Sequence, residues 1–138
     1  MADTTVSIPV DRRDGGIILV PIAAGVKILQ GIIVCANAAG YAVQGSDTAN
    51  LRTLGLAAEE VDNTGGAAGD LSVRVERGQA YKLLNDPTNP VTIANVGTAG
   101  AAVIKDNQTV CVAAGATNDI PVGKPVQVDA DGVWVEIL

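Results

Sequence analysis

The chain has 138 residues, and its 9 Lys and Arg against 15 Asp and Glu give a net charge of −6. The basic residues are scattered, so no patch could neutralise a phosphate backbone, and we predict no nucleic-acid partner. Histidine is absent, which removes the commonest general base and most zinc ligand sets, so we predict no enzyme and no cofactor.

The first segment, residues 1–16, is polar and charged and does not have the pattern of a secretory signal. We predict an extended N-terminal arm over 1–16, followed by a single β-rich domain over 17–138. The arm should become ordered when a partner holds it, and Arg12 and Arg13 should then pair with acidic groups of that partner. A frayed terminus remains the alternative interpretation.

The apolar run 17–36 is long enough to be considered for a membrane span, but it contains Pro21, Lys27 and Gln30. A central lysine costs about 3 kcal/mol of insertion, so strands with a turn are favoured and no membrane partner is expected. We predict strands over 17–22, 27–36 and 40–44. The segment 51–61 is ambiguous between helix and strand, and its glycine and flanking turn signals favour a strand.

A clear alternation follows in 71–77, where Leu71, Val73 and Val75 share one face of a half-buried strand. The turn at Arg77–Gly78 should return the chain into a strand over 79–84. Residues 85–90 contain two prolines and predict a loop. Residues 91–96 could form one helical turn that stops at the following glycine.

Two hairpins are predicted near the end of the chain, one joining 101–104 to 109–113 and one joining 126–128 to 133–137. The segments 31–44 and 123–136 also share glycine, valine and alanine at equal offsets, a weak internal repeat typical of hairpins. The elements together predict an all-β fold, an antiparallel barrel or sandwich built from successive hairpins, with at most one or two short helices.

Few side chains in the sequence are candidates for catalysis, cation binding or thiol chemistry. Glu59 and Glu60 are adjacent, so they point to opposite faces of a strand and should not act as an acid/base pair. Asp129 and Asp131 stand before a glycine, which favours a plain hairpin turn over a cation site. Cys35 and Cys111 have no CxxC spacing; we expect free, buried thiols, with a disulfide as the alternative.

Trp134 is the residue most suggestive of binding. Residues 133, 135 and 137 share one face of the last strand, which places Trp134 on the other face. Tryptophan is enriched at interfaces because it buries a large area and keeps a polar N–H, so we predict a partner-binding role. A strand buried on both faces is the alternative.

Four stretches together resemble a family of tailed-bacteriophage capsid decoration proteins, also called head cement or stabilisation proteins. They are LGLAAEEVDNTGGAAGDLSVRVERGQAYKLLN (54–85), IANVG (93–97), KDNQTV (105–110) and VDADGVWVEIL (128–138). The resemblance covers roughly residues 17–138, and the order of the four stretches carries it. The cysteine after KDNQTV is not part of the pattern, and the family has no catalytic residues to transfer.

The resemblance implies an all-β oligomer bound to the outside of a capsid shell, with the major capsid protein as its partner. The expected homo-oligomer is a trimer, with a dimer as the alternative. The expected location is the virion surface, after synthesis in the cytoplasm of the host bacterium. Another phage structural component, such as a tail, baseplate or fibre-anchor protein, and a β-rich binding module are the alternative functions.

Overall fold

The computed structural model describes residues 5–7, 10 and 15–138. The arm's Arg12 and Arg13 therefore lie outside the described residues, as does most of the segment 1–14 that precedes the first strand. The elements in chain order are the strands β1 (Ile17–Pro21), β2 (Lys27–Ile28), β3 (Ile33–Ala36), β4 (Ala42–Gln44), β5 (Arg52–Ala57), β6 (Val61–Asp62), β7 (Ser72–Glu76), β8 (Gln79–Asn85), β9 (Ala102–Ile104), β10 (Thr109–Cys111), β11 (Pro121–Asp129) and β12 (Gly132–Ile137), with short 3₁₀ helices at Ile93–Asn95 and Ala113–Gly115.

The first sheet has the strand order β1-β7-β5-β3-β4, and its strand pairs are antiparallel. β-branched residues alternate along β7, where Val73 and Val75 are buried, and such residues pack well on a pleated surface. One face of the sheet carries a core of aliphatic side chains that includes Val20, Ile22, Val34, Val73 and Val75. The short pair β2–β6 forms a separate two-stranded sheet beside it.

The second half of the chain forms a small closed barrel with the order β10-β8-β12-β11-β9. Closure removes free strand edges, because each strand has a neighbour on both sides. Its pairs are antiparallel apart from β8 and β10, which run parallel. The barrel encloses a second core of small aliphatic side chains, including Leu83, Ile104, Val110, Val133 and Val135.

Strand β3 connects the two cores because it is buried on both faces. Ile33 and Cys35 pack into the barrel core, while Val34 packs into the core of the first sheet. A polar link reinforces this contact: the Asp47 carboxylate accepts the backbone N–H groups of Thr117 at 2.7 Å and Asn118 at 2.8 Å. These hydrogen bonds, first the one from Thr117, lower the pKa of Asp47.

The all-β fold class predicted from the sequence is confirmed. The ambiguous segment 51–61 forms strand β5, and the one predicted helical turn appears as the 3₁₀ helix Ile93–Asn95. Both predicted hairpins near the C-terminus are present as β9–β10 and β11–β12. Among the described residues, no helix has the length and apolar character needed to cross a membrane.

Three local predictions were wrong. The single strand expected over 27–36 is interrupted, because the chain turns at Gly31, which has a φ of +84°. The turn at Arg77–Gly78 does not make a hairpin: β7 stays in the first sheet, while β8 enters the barrel beside β12. Leu71 lies before the start of β7 and is 44% exposed instead of facing inward.

At Gly55 the backbone of β5 lies close to that of β7. A Cβ atom at this position would overlap the carbonyl oxygen of Glu76. Gly55→Ala should therefore lower the free energy of unfolding by about 2–3 kcal/mol, as overpacking of a fitted interior does. Urea unfolding followed by circular dichroism measures this change.

Gly65→Ala is the matched control, because a Cβ at Gly65 meets nothing within 4 Å. This variant should stay within about 0.5 kcal/mol of the parent chain, as surface substitutions usually do. Equal unfolding midpoints for the two variants would contradict the close approach of β5 and β7.

Candidate interaction surface

Trp134 lies on the outer face of the barrel, in strand β12. The alternate residues Val133, Val135 and Ile137 are buried inside at 0%, 0% and 2% exposure. Trp134 and Glu136 are half-buried on the opposite face. The assignment of faces from the alternation is correct, and the two flanking valines are therefore not available to a partner.

The indole of Trp134 is held in place by residues of its own hairpin, β11–β12. Its Nε1–H donates to Oδ2 of Asp129 at 3.0 Å, and Gln127 Nε2 donates to Oδ1 of the same carboxylate at 2.8 Å. Gln127 is the residue opposite Trp134 in β11, after a register shift between Pro125 and Gln127. Because its N–H is already bonded, the indole offers a partner its ring surface.

Lys82 completes the site from the neighbouring strand β8, where it lies opposite Trp134. Its Nζ atom is 2.7 Å from Asp131 and 3.7 Å from Asp129. Asp131 is the larger cause of a raised pKa for Lys82, and Lys82 in turn lowers the pKa of Asp131. The pKa of Asp129 is lowered mainly by Gln127 and then by Trp134 and Lys82.

The geometry favours the turn interpretation of this acidic segment. Asp129 pairs with Gly132, so Ala130 and Asp131 form a tight hairpin turn. Positive charge at the two carboxylates comes from the chain's own lysine, Lys82. The result is an outward aromatic ring with a charged rim, a combination suited to contact with another protein.

Sequence reasoning selected Trp134 as a candidate binding residue and did not identify Lys82 and Gln127, which lie opposite it in the neighbouring strands. Lys82 could have been identified only from the register in which β8 pairs with β12. That register is not visible in the local sequence pattern of either strand. Arg12 and Arg13, the other predicted binding residues, lie outside the described residues, so the structure does not relate them to Trp134.

A second exposed surface was not predicted. An apolar groove of about 340 Å³ runs beside β11, lined by Gly100, Pro121 and Val122, with Leu138 at its rim. Leu138 is 87% exposed. Exposed apolar surface of this kind is typical of interaction sites when it is contiguous.

Among the residues that the structure describes, no three Cys, Asp or Glu side chains come together as a metal site requires. Glu59 pairs with Arg74 at 3.1 Å, and hydrogen bonds from Arg74 lower its pKa. Cys35 and Cys111 are both buried and are not joined to each other. Desolvation raises the pKa of both thiols, which makes each a poor nucleophile at neutral pH.

Comparisons with known proteins add no relative. No protein-family model matches the chain, and neither a curated protein nor a solved structure matches it.

The bond between Trp134 and Asp129 gives a measurable pH dependence. Because the folded-state pKa of Asp129 is lowered, its carboxylate persists below the ordinary value of about 3.9, and the bond is lost as pH falls through the lowered pKa. Trp134 is the only tryptophan in the chain. Its fluorescence should therefore change in that acidic window while the far-UV circular dichroism stays constant.

Asp129→Asn should remove this fluorescence transition, because its amide does not titrate. Asp131→Asn is the matched control, since Asp131 contacts Lys82, whereas the indole N–H donates to Asp129. A transition that survives Asp129→Asn unchanged would show that another group controls the emission of Trp134.

Proposed function

We propose that the chain is a structural virion protein that binds the outer surface of a tailed-phage capsid and stabilises the expanded shell. The observation that carries the proposal is an outward aromatic side chain, Trp134, on a closed and internally supported barrel. Such a surface suits docking because its rigid strands lose little conformational entropy when a partner binds.

The four stretches that resemble the decoration family support the same function by their positions. They fall on strands β5 to β8, on the first 3₁₀ helix and on the hairpins β9–β10 and β11–β12. These positions lie in the strands of the sheet and barrel and in the turns that join them. The resemblance therefore concerns a scaffold, which agrees with a family that carries no catalytic residues.

A cement protein performs no chemistry, so its effect must come from differential binding. DNA packaging loads the shell from inside, and the shell fails where its subunits separate. A protein that bridges neighbouring capsid subunits only in their expanded arrangement stabilises that arrangement by mass action. A ligand present at about 100 times its dissociation constant adds roughly 2.7 kcal/mol per site, and many sites act on one shell.

The proposed partners are the major capsid protein and further copies of the chain. A trimer is the favoured assembly and a dimer the alternative, since closed symmetry suits positions where capsomers meet. The protein would be made in the host cytoplasm and act on the capsid surface. The net charge of −6 favours solubility of the chain and limits non-specific association.

Trp134→Ala should weaken binding to expanded capsids by at least tenfold, because truncation of a central aromatic anchor costs about 1.4 kcal/mol or more. The melting temperature of Trp134→Ala should stay close to that of the parent chain, because the indole lies outside the barrel core. Co-sedimentation of purified protein with expanded shells and with unexpanded precursors measures both affinity and selectivity.

Leu71→Ala is a suitable control for this experiment, because Leu71 is 44% exposed and precedes β7 of the first sheet, whereas Trp134 lies on the barrel. Its occupancy should stay near that of the parent chain. Equal affinity for the two shell states would remove the stabilisation mechanism. Binding to tails with no binding to shells would assign the chain to another part of the virion.

Deletion of residues 2–14 should weaken capsid binding while the melting temperature stays nearly unchanged, because the arm precedes the described sheet. Arg12 and Arg13 should contribute through charge-assisted hydrogen bonds, so the difference between full-length and shortened chains should shrink at high salt. Equal occupancy after the deletion would count against a role for the arm in binding.

A further inference from the structure

The apolar groove beside β11 lies close to Gly16, the point where the N-terminal arm is attached to the first sheet. A Cβ at Gly78 would lie 3.9 Å from the Cα of Gly16, and the Gly78 N–H donates to the carbonyl oxygen of Ile137 at 2.6 Å. Leu138, which follows Ile137, lines the groove. Standard bond lengths therefore place Gly16 within about 12 Å of the backbone N of Leu138. The attachment point of the arm and the groove are thus at the same end of the molecule.

The groove is suited to aliphatic side chains. Its volume is about 340 Å³, and its walls include the small or apolar residues Ala99, Gly100 and Val122. Lys124 and Glu136 also line it, and their charged groups pair at 3.5 Å with both side chains partly exposed. The groove therefore offers an apolar surface beside an ion pair.

The arm contains a segment of matching chemistry. Every second position of VSIPV (6–10) is aliphatic, so an extended chain presents three aliphatic side chains on one face. The next four residues, DRRD (11–14), are all charged. Because a carboxylate can accept more than one donor, Glu136 can pair with an arginine of this stretch as well as with Lys124. An apolar segment followed by charges thus matches an apolar groove beside an ion pair.

The two described valines of the segment 6–10 are not buried in the groove of their own chain. Val6 is 69% exposed and Val10 is 71% exposed. Counted from Gly16, Val10 is six residues away and Val6 is ten, so an extended arm carries them roughly 20–33 Å from its attachment point. The chain's own groove is nearer than this, and the arm would have to fold back to enter it. An extended arm instead has the reach to enter the groove of a neighbouring copy.

We propose that the segment 6–10 of one copy binds in the groove of a second copy. The aliphatic side chains of the segment are then removed from water together with the apolar walls of the groove, which supplies the driving force. Arg12 or Arg13 lies beside the pair formed by Lys124 and Glu136 of the second copy. The free energy gained has to exceed the conformational entropy lost when the arm is ordered.

A second copy is favoured over an unrelated partner because every copy carries one arm and one groove at the same end. Copies that meet at this end can each give an arm and receive one, so a closed assembly leaves no groove empty. Exchange of an identical element between protomers is a low-cost route to an oligomer. A closed dimer and a closed trimer both satisfy this condition.

Self-association of the full-length chain is the first test. A contact made by one short segment buries less than the roughly 1,000 Å² typical of a stable interface, so the assembly should dissociate on dilution. Sedimentation velocity over a concentration series should show a monomer that converts into one larger species. Val10→Asp should raise the dissociation constant roughly tenfold or more, because it places a charge against an apolar wall. A full-length chain that is monomeric at every concentration would overturn the proposal.

Ser7→Asp is the matched control for the arm. It adds the same charge to the same segment, but Ser7 occupies the alternate position and faces away from the aliphatic side chains when the chain is extended. This variant should associate as the parent chain does. An equal loss of association in Ser7→Asp and Val10→Asp would show that added charge alone weakens the assembly, and would overturn the apolar contact.

Ala99→Asp tests the groove from the other side. Ala99 is exposed, so the substitution should leave the far-UV circular dichroism unchanged while association weakens as it does in Val10→Asp. The double variant should associate little more weakly than either single variant, because both substitutions act on one contact. Ala68→Asp is the control, since Ala68 is an exposed alanine in the loop between β6 and β7. Association that Ala99→Asp leaves intact would overturn the proposal.

Cysteine pairing distinguishes the arm of a second copy from the chain's own arm. Mild oxidation of the variant with Val10→Cys and Ala99→Cys should produce covalent oligomers on a non-reducing gel, with the two introduced thiols linked between chains. The native thiols are both buried. The variant with Val10→Cys and Ala68→Cys is the control and should form no link between its two introduced thiols. A disulfide that closes within one chain would overturn arm exchange.

The inference goes beyond the proposed capsid function and does not rest on it, so the two can fail separately. Occupancy of expanded capsids by Val10→Asp and Ala99→Asp is measured alongside their self-association. A parent chain that associates through the groove but binds no capsid would leave arm exchange intact and refute the capsid function. Loss of capsid binding by Val10→Asp, when the parent chain is itself monomeric in solution, would assign the arm to a capsid surface and overturn arm exchange.

Discussion

The burial of β3 on both faces is the constraint on which the rest of the structure depends. Four consecutive residues, Ile33 to Ala36, are removed from solvent, and they alternate between the barrel core and the core of the first sheet. The chain has no phenylalanine, so β-branched and small side chains must fill both cores. Small side chains permit close backbone approach, and Gly55 marks the point where β5 meets β7 without room for a Cβ.

Local alternation was enough to predict the inward faces of β7 and β12, because each has one solvent-facing side. It could not predict the path between the sheet and the barrel. Gly78 allows a positive φ, as a hairpin turn requires, yet its N–H donates to Ile137 in the barrel. The contacts of Trp134 could not be predicted from the local pattern either, because Lys82 lies in another strand and Gln127 pairs with Trp134 only after a register shift. These contacts depend on how distant strands pair.

Several carboxylates are held by contacts within the chain. Asp129 is bonded by Gln127 and Trp134, Glu59 by Arg74, and Asp47 by backbone N–H groups. These contacts lower the carboxyl pKa values, so the groups stay ionised at neutral pH. Exposed ion pairs of this kind add little stability. Their effect is to fix turns and side-chain positions: Asp129 holds the indole of Trp134 within its own hairpin, and Asp47 ties its loop to the segment before β11.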